Sequence, residues 1–452
     1  MSAVRLGDRA TLSRVETLVG VFIALQFPPG MLGHSWIPVQ LALSIGGIGY
    51  MALRGPQPLA RISLHPVRYF ALIVLYLFVA HFVLEPESLM VGVKELLIAS
   101  IGLAFIGTLF TAAKPRDIAV AFVLIHAALA GSGLLLLGAR LLGVDRLLAI
   151  GYVPTNNYNY AAHWHFPFSF SYAQPISAGG TAWERFMGMY REPGVYQAFA
   201  LSACATALVL RDLAWRRTLA LLIAVASAFT LSTAWLGSFC AMAVWATITR
   251  VDFRRASSIL WAVILCGAVV GTLIIAINIP GVGFSDKLAG ESGQDRLRAF
   301  SALGPALTES PWWGLGQNTR MQRDSIESVS GSMIVGIARL GILGTAIFFL
   351  ALVATILDRH DRRSLVVLIP IGVTMAASQP LYYSIAAYFV LALPGRDAFG
   401  TRHSEPPPPT PARRSLPPSI PLREPVSIVS DPKHVSAESH LPVVILDETE
   451  PT

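Results

Sequence analysis

Stretches of about 20 apolar residues recur along this chain, parted by short segments that hold most of its arginines. Inside lipid every backbone N–H and C=O must be satisfied by the protein itself, so only helices and closed barrels cross a bilayer. The runs are continuously apolar rather than alternating, which selects helices. The chain is 54% hydrophobic and 13% charged, against about 25% charged for an average soluble protein, so a soluble globular class is excluded. About twelve spans are predicted, over 15–33, 36–53, 67–84, 90–112, 118–139, 193–210, 218–232, 235–249, 258–278, 330–357, 365–378 and 381–394.

Basic residues in short loops set orientation. Arg5, Arg9 and Arg14 precede the first span, and Arg54, Arg61 and Arg68 follow the second. Lys114 and Arg116, then Arg211, Arg216 and Arg217, then Arg250, Arg254 and Arg255, then Arg359, Arg362 and Arg363 follow the fourth, sixth, eighth and tenth spans in turn. The alternate short loops carry neither Lys nor Arg. This asymmetry predicts cytoplasmic termini and two long outer-face loops, 140–192 and 279–329. Two breaks are less regular. Residues 218–249 are interrupted only at Leu231-Ser232-Thr233-Ala234, and 365–394 only at Gln379-Pro380.

The membrane domain is expected over 1–394, followed by a Pro-rich cytoplasmic tail, 395–452, that cannot bury enough apolar surface to fold. A net charge of +7 does not point to nucleic acid, because the basic residues lie in topology-setting loops. Cys204, Cys240 and Cys266 fall within apolar runs and read as packing residues. The first run lacks a small-residue cleavage site and reads as a retained helix.

The chemistry is expected in the two loops. The first is aromatic over 152–172 and includes His163 and His165, a pair without an evident third metal ligand; neither a metal nor any other cofactor is expected. It ends in Met189-Tyr190-Arg191-Glu192-Pro193-Gly194. Proline favours the first helical turn, which places Arg191 and Glu192 at a helix N-terminus, where free amides and the dipole favour an anion. The second loop carries Arg296, Arg298, Arg320 and Glu327, with Trp312 and Trp313 as either sugar platforms or interface anchors. Arg339 lies inside the tenth span, and a charge at that depth should face the bundle interior or a water-filled cavity. His81 and His126, also within spans, read as structural hydrogen-bonding groups.

Four segments in order carry a resemblance over roughly 185–357: Tyr190-Arg191-Glu192-Pro193-Gly194, Thr230-Leu231-Ser232, Asp295-Arg296-Leu297 with Pro311-Trp312-Trp313-Gly314-Leu315-Gly316, and Arg339-Leu340-Gly341-Ile342-Leu343-Gly344. On them the chain resembles the O-antigen ligase and polymerase superfamily of bacterial membrane proteins. Thr233 stands where the family often has an arginine, and Ser330 where ligases tend to carry a histidine. The second departure leans toward a polymerase.

The resemblance implies an all-α polytopic fold with GT-C-like glycosyltransferase architecture, in a bacterial inner membrane. It implies a donor glycan on polyprenyl diphosphate and a lipid-linked acceptor, with other polysaccharide assembly proteins as partners. Arg191, Arg296 and Arg298 would clamp the diphosphate without a metal, with Arg320 and Arg339 assisting substrate binding. Glu192 would act as general base, with Glu327 the runner-up. The competing expectations are a ligase and a polytopic transporter or flippase of an anionic or lipid-linked solute.

Overall fold

The structure is a computed structural model. It describes residues 11–54, 67–84, 89–155, 160–172, 176–178, 181–249, 310–314, 333–357, 364–377 and 384–393, with single residues and short pieces between 257 and 309 and at 381. All of these belong to the first of two compact units, Met1–Thr401, and the second, Arg402–Thr452, lies outside the described residues, as does the expected tail.

The helices among the described residues follow the apolar runs closely. They are α1 (Arg14–Leu25), α2 (Met31–Ser35), α3 (Ile37–Arg54), α4 (Val67–Leu84), α5 (Leu89–Ala112), α6 (Pro115–Leu141), α7 (Pro193–Val209), α8 (Arg216–Ala228), α9 (Thr233–Ile248), α10 (Met333–Leu357), α11 (Ile369–Ala377) and α12 (Ile385–Ala392). Ser13 caps α1 by accepting from Glu16 N while Glu16 returns a bond to Ser13 N, a capping box that uses two otherwise orphan amides. Pro115 and Pro193 open α6 and α7, where the missing proline N–H costs nothing.

Four described helical stretches are long and apolar enough to cross a membrane: Ile37–Arg54, Val93–Ala112, Pro115–Leu141 and Gly336–Leu357. Their outer surfaces are apolar too, with Val39, Leu43 and Leu53 on α3 and Phe349, Leu350 and Val353 on α10 exposed. Such faces suit lipid and would be a liability in water. At the centre lies α7, buried from Pro193 to Ala207 and rich in Ala. Small side chains let neighbouring backbones come close where no hydrophobic effect drives helices together. Packed around α7 are α6, α8, α9 and α11.

The ends expected on one side do gather. Leu12 N donates to Ala112 O (3.0 Å), Arg54 pairs with Glu16 (2.5 Å) and Arg116 with Asp212 (2.7 Å). At the other end of α1, Met31 N donates to Met189 O (2.9 Å) and Arg191 N to Pro29 O (3.1 Å).

Three expectations need correction. The first span does not run to residue 33: α1 ends at Leu25, because Pro28 and Pro29 remove two donors and disfavour helix before them. The fold is not all-α. Within 140–192 the chain builds an antiparallel sheet of β1 (Ala149–Thr155), β2 (Tyr160–His165), β3 (Ser169–Tyr172) and β6 (Phe186–Gly188), in that order, beside a hairpin of β4 (Ile176–Ala178) and β5 (Thr181–Trp183). In register, His163 faces Tyr152 on one side and Ser171 on the other, while Trp164 faces and stacks on Phe170. The third correction concerns the tenth span. Its helix is broken at Gly341, whose φ of 64° and ψ of −172° are not helical.

The break expected within 218–249 is present at Phe229–Ser232. Of the expected span 258–278 only isolated residues are described, and of the second loop only 301, 303–305 and 307–314.

Candidate functional site

Two clusters hold the expected site residues that the structure describes. The first lies where the sheet hands over to α7. Glu192 is the N-cap of that helix, extended at φ −147° and ψ 147°, and its carbonyl accepts from Tyr196 N (3.1 Å). Its side chain makes no capping bond, so the carboxylate is left to Arg191, whose Nε is 3.7 Å away. Both side chains are largely enclosed, at 18% and 24% exposure.

Arg185 stands in the segment between β5 and β6, within electrostatic reach of Glu192. Its guanidinium lies 5.0 Å over the Tyr172 ring, and its Nε is buried with no hydrogen-bond partner among the described residues. Burial pulls Arg185 below its ordinary value, opposed by Tyr172 and Glu192. The cluster thus holds two guanidiniums against one carboxylate, beside a helix N-terminus worth about half a positive charge.

Tyr190 locks this corner down. It is buried, stacks on Phe199 (4.7 Å) and donates to Nε2 of His126 (3.0 Å), whose Nδ1–H donates to Phe122 O (2.9 Å). That is the structural role expected of His126; the side chain of His81 lies outside the described residues. Burial raises Tyr190 well above the ordinary phenol value, so it stays a neutral donor. Gly188, at φ +57°, meets the Tyr196 ring so closely that a Cβ there would come within 2.5 Å of it.

The second cluster joins Pro311-Trp312-Trp313-Gly314 to Arg339-Leu340-Gly341. Ile342 N donates to Pro311 O (2.9 Å) and Leu343 N to Trp312 O (3.2 Å). Gly314 and Gly341 both have positive φ and touch backbone to backbone: a Cβ on Gly314 would lie 2.3 Å from Arg339 O, and one on Gly341 2.4 Å from Gly314 N. Tyr76 of α4 seals the joint. Its hydroxyl faces the carbonyls of Leu340, Trp313 (3.1 Å) and Trp312 (3.4 Å), and its ring stacks on Trp313 (5.9 Å, 6°). Trp313 therefore serves as a packing surface, whereas Trp312 is 63% exposed. Arg339 is half-buried, and its Nε has no hydrogen-bond partner among the described residues.

The structure thus brings Arg191 together with Glu192, and Trp312 and Trp313 together with the segment of Arg339. The helix α11 packs on both α7 and α10. Arg296, Arg298, Arg320 and Glu327 lie outside the described residues. Sequence reasoning missed Arg185 and Tyr76. Arg185 precedes Arg191 by one turn of chain and carries no motif of its own, and Tyr76 sits in a span without a polar pattern. No protein-family model and no curated protein matches the chain.

Proposed function

We propose that this chain is a membrane glycosyltransferase that polymerises oligosaccharide repeats carried on polyprenyl diphosphate at the outer face of a bacterial inner membrane. The observation that carries the reading is the enclosed pair Arg191 and Glu192 at the N-terminus of α7, with Arg185 within electrostatic reach of the carboxylate. Planar guanidiniums match phosphate oxygens in bidentate geometry, and an excess of positive charge suits a diphosphate leaving group. Arg191 and Arg185 would stabilise the charge that develops as the lipid diphosphate departs. Glu192 would take the acceptor hydroxyl proton. Arg296, Arg298, Arg320 and Glu327 complete the expected set from the second loop, and the resemblance to O-antigen polymerases and ligases supports the same chemistry.

A transporter or flippase is the second reading, favoured by the break in α10 beside Arg339. Carriers place such broken ends at the substrate. Here the Ile342 and Leu343 amides are filled by loop carbonyls and the Leu340 carbonyl by Tyr76, which leaves them nothing to offer a solute and favours the enzyme.

The test is the length of surface and lipid-linked glycan in cells expressing Arg191→Ala or Arg191→Lys at matched protein level. The expected outcome is single repeats on lipid, exposed at the outer face, in both variants. Repeats trapped at the inner face would support the flippase instead, and full-length glycan in Arg191→Ala would sink the polymerase reading.

A further inference from the structure

One residue before Arg185, the sheet carries a second constellation. His163 and His165 alternate with Trp164 along β2, so both imidazoles leave the same face of the strand. Glu184 reaches them from the segment between β5 and β6: its Oε1 lies 3.1 Å from His163 Nδ1. One donor atom from each of the three lies within 4.8 Å of the other two.

The hydrogen bonds fix which atoms are available. The single proton of Ser171 Oγ goes to Glu184 Oε2 (2.7 Å), and Ser171 accepts from Arg140 Nη2 (3.1 Å). Its contact with His165 Nε2 (3.2 Å) must then be made by the ring N–H. This leaves His165 Nδ1 as a bare lone pair. That atom is buried, on a residue only 4% exposed, and has no hydrogen-bond partner among the described residues. Arg140 also occupies Glu184 Oε2 and so leaves Oε1 turned to the histidines.

Charge agrees. Arg140 contributes one positive charge, while Glu184 and Asp145 (3.8 Å from Arg140 Nε) contribute two negative ones. Geometry agrees as well. In a tetrahedral site with bonds of about 2.0 Å, neighbouring ligand atoms stand about 3.3 Å apart, and the His163–Glu184 pair already stands at 3.1 Å. The widest pair, at most 4.8 Å, has to close by no more than about 1.5 Å.

We infer that His163, His165 and Glu184 form a binding site for a divalent transition metal of the zinc class, with Ser171 and Arg140 orienting the ligands. Two imidazoles and a carboxylate suit zinc, cobalt or nickel rather than magnesium. Three protein ligands leave a fourth position for water. The ion would tie β2 to the segment that carries Arg185, and the inference stands whether or not the chain transfers sugars.

The full chain, purified in detergent through a tag without histidines, is stripped with chelator and titrated with cobalt(II), reading visible d–d absorption, with bound zinc measured separately by mass spectrometry. Wild type should bind one ion per chain with a tetrahedral-type spectrum. His165→Gln and Glu184→Gln should each weaken binding well over tenfold, and Ser171→Ala, which frees the ligands from their hydrogen bonds, by about tenfold. Wild type binding no more metal than the His165→Gln/Glu184→Gln double variant overturns the site, as does undiminished affinity in His165→Gln. If the ligand variants fail to fold, the wild-type spectrum and the Ser171→Ala titration decide: an octahedral-type or absent spectrum overturns the inference.

Discussion

At the scale of single residues, Tyr76 shows how little chemistry is needed to hold a membrane joint. One hydroxyl faces three carbonyls that lipid cannot satisfy. Tyr76→Phe keeps the stack on Trp313 but removes the one hydroxyl donor facing the Leu340 and Trp313 carbonyls, while Trp312 O keeps Leu343 N, so it should lower stability by about 1–3 kcal/mol. Thermal unfolding in detergent would show this as a fall in Tm against wild type; an unchanged Tm would mean the carbonyls find other donors. Arg191 was readable from the sequence because charge at a membrane edge is costly and rare. Arg185 and Glu184 were not, since an Arg and a Glu in a long polar loop look like solvated charges. Their enclosure depends on a sheet whose pairing joins residues far apart in the chain, and no local pattern announces it.

At the scale of elements, helix positions and the break within 218–249 were legible, and the sheet and the break in α10 were not. Val67–Leu84 falls on the expected 67–84, and α7 begins at the expected Pro193. Continuous apolarity and flanking arginines suffice for that. The sheet was hidden for a different reason: the alternation of His163, Trp164 and His165 was present, but it lies inside a stretch so dense in rings that no two-residue period stands out. The break in α10 was hidden because Gly341-Ile342-Leu343-Gly344 fits a straight apolar helix equally well. Only its partner, Gly314, explains the positive φ. Gly314→Ala and Gly341→Ala should therefore each cost several kcal/mol, since strain at positive φ adds to a backbone clash. Gly49→Ala in α3, where a Cβ meets nothing within 4 Å, should be neutral or stabilising by up to about 1 kcal/mol. Yield of folded monomer by fluorescence-detected size exclusion would rank the three; a ranking with Gly49→Ala as the worst would refute the account of the joint.

At the scale of the molecule, the contacts among helix ends divide the described residues into two sides. Arg54, Arg116 and Asp212 belong to one, and the sheet with Arg191 to the other. In a background with Cys204, Cys240 and Cys266 replaced by alanine, Phe166→Cys on the exposed sheet turn should react with a membrane-impermeant maleimide in intact cells. Trp215→Cys, equally exposed before α8, should react only after the membrane is opened. Labelling of both from outside would contradict the two-sided arrangement. The positive-inside pattern made this division legible, because it depends on counting charges rather than on tertiary contacts.

The union of Gly314 with Gly341 also bears on biogenesis. A helix entering lipid from the insertion machinery normally brings its own hydrogen bonds with it. The half of α10 after Gly341 does not: the Ile342 and Leu343 amides donate to Pro311 and Trp312, which are synthesised earlier. Until that preceding segment returns to meet it, α10 has two bare donors at membrane depth. Insertion of this helix and closure of the loop before it are therefore one event, and a nascent chain lacking the Pro311–Gly314 turn should stall as a substrate for membrane proteases.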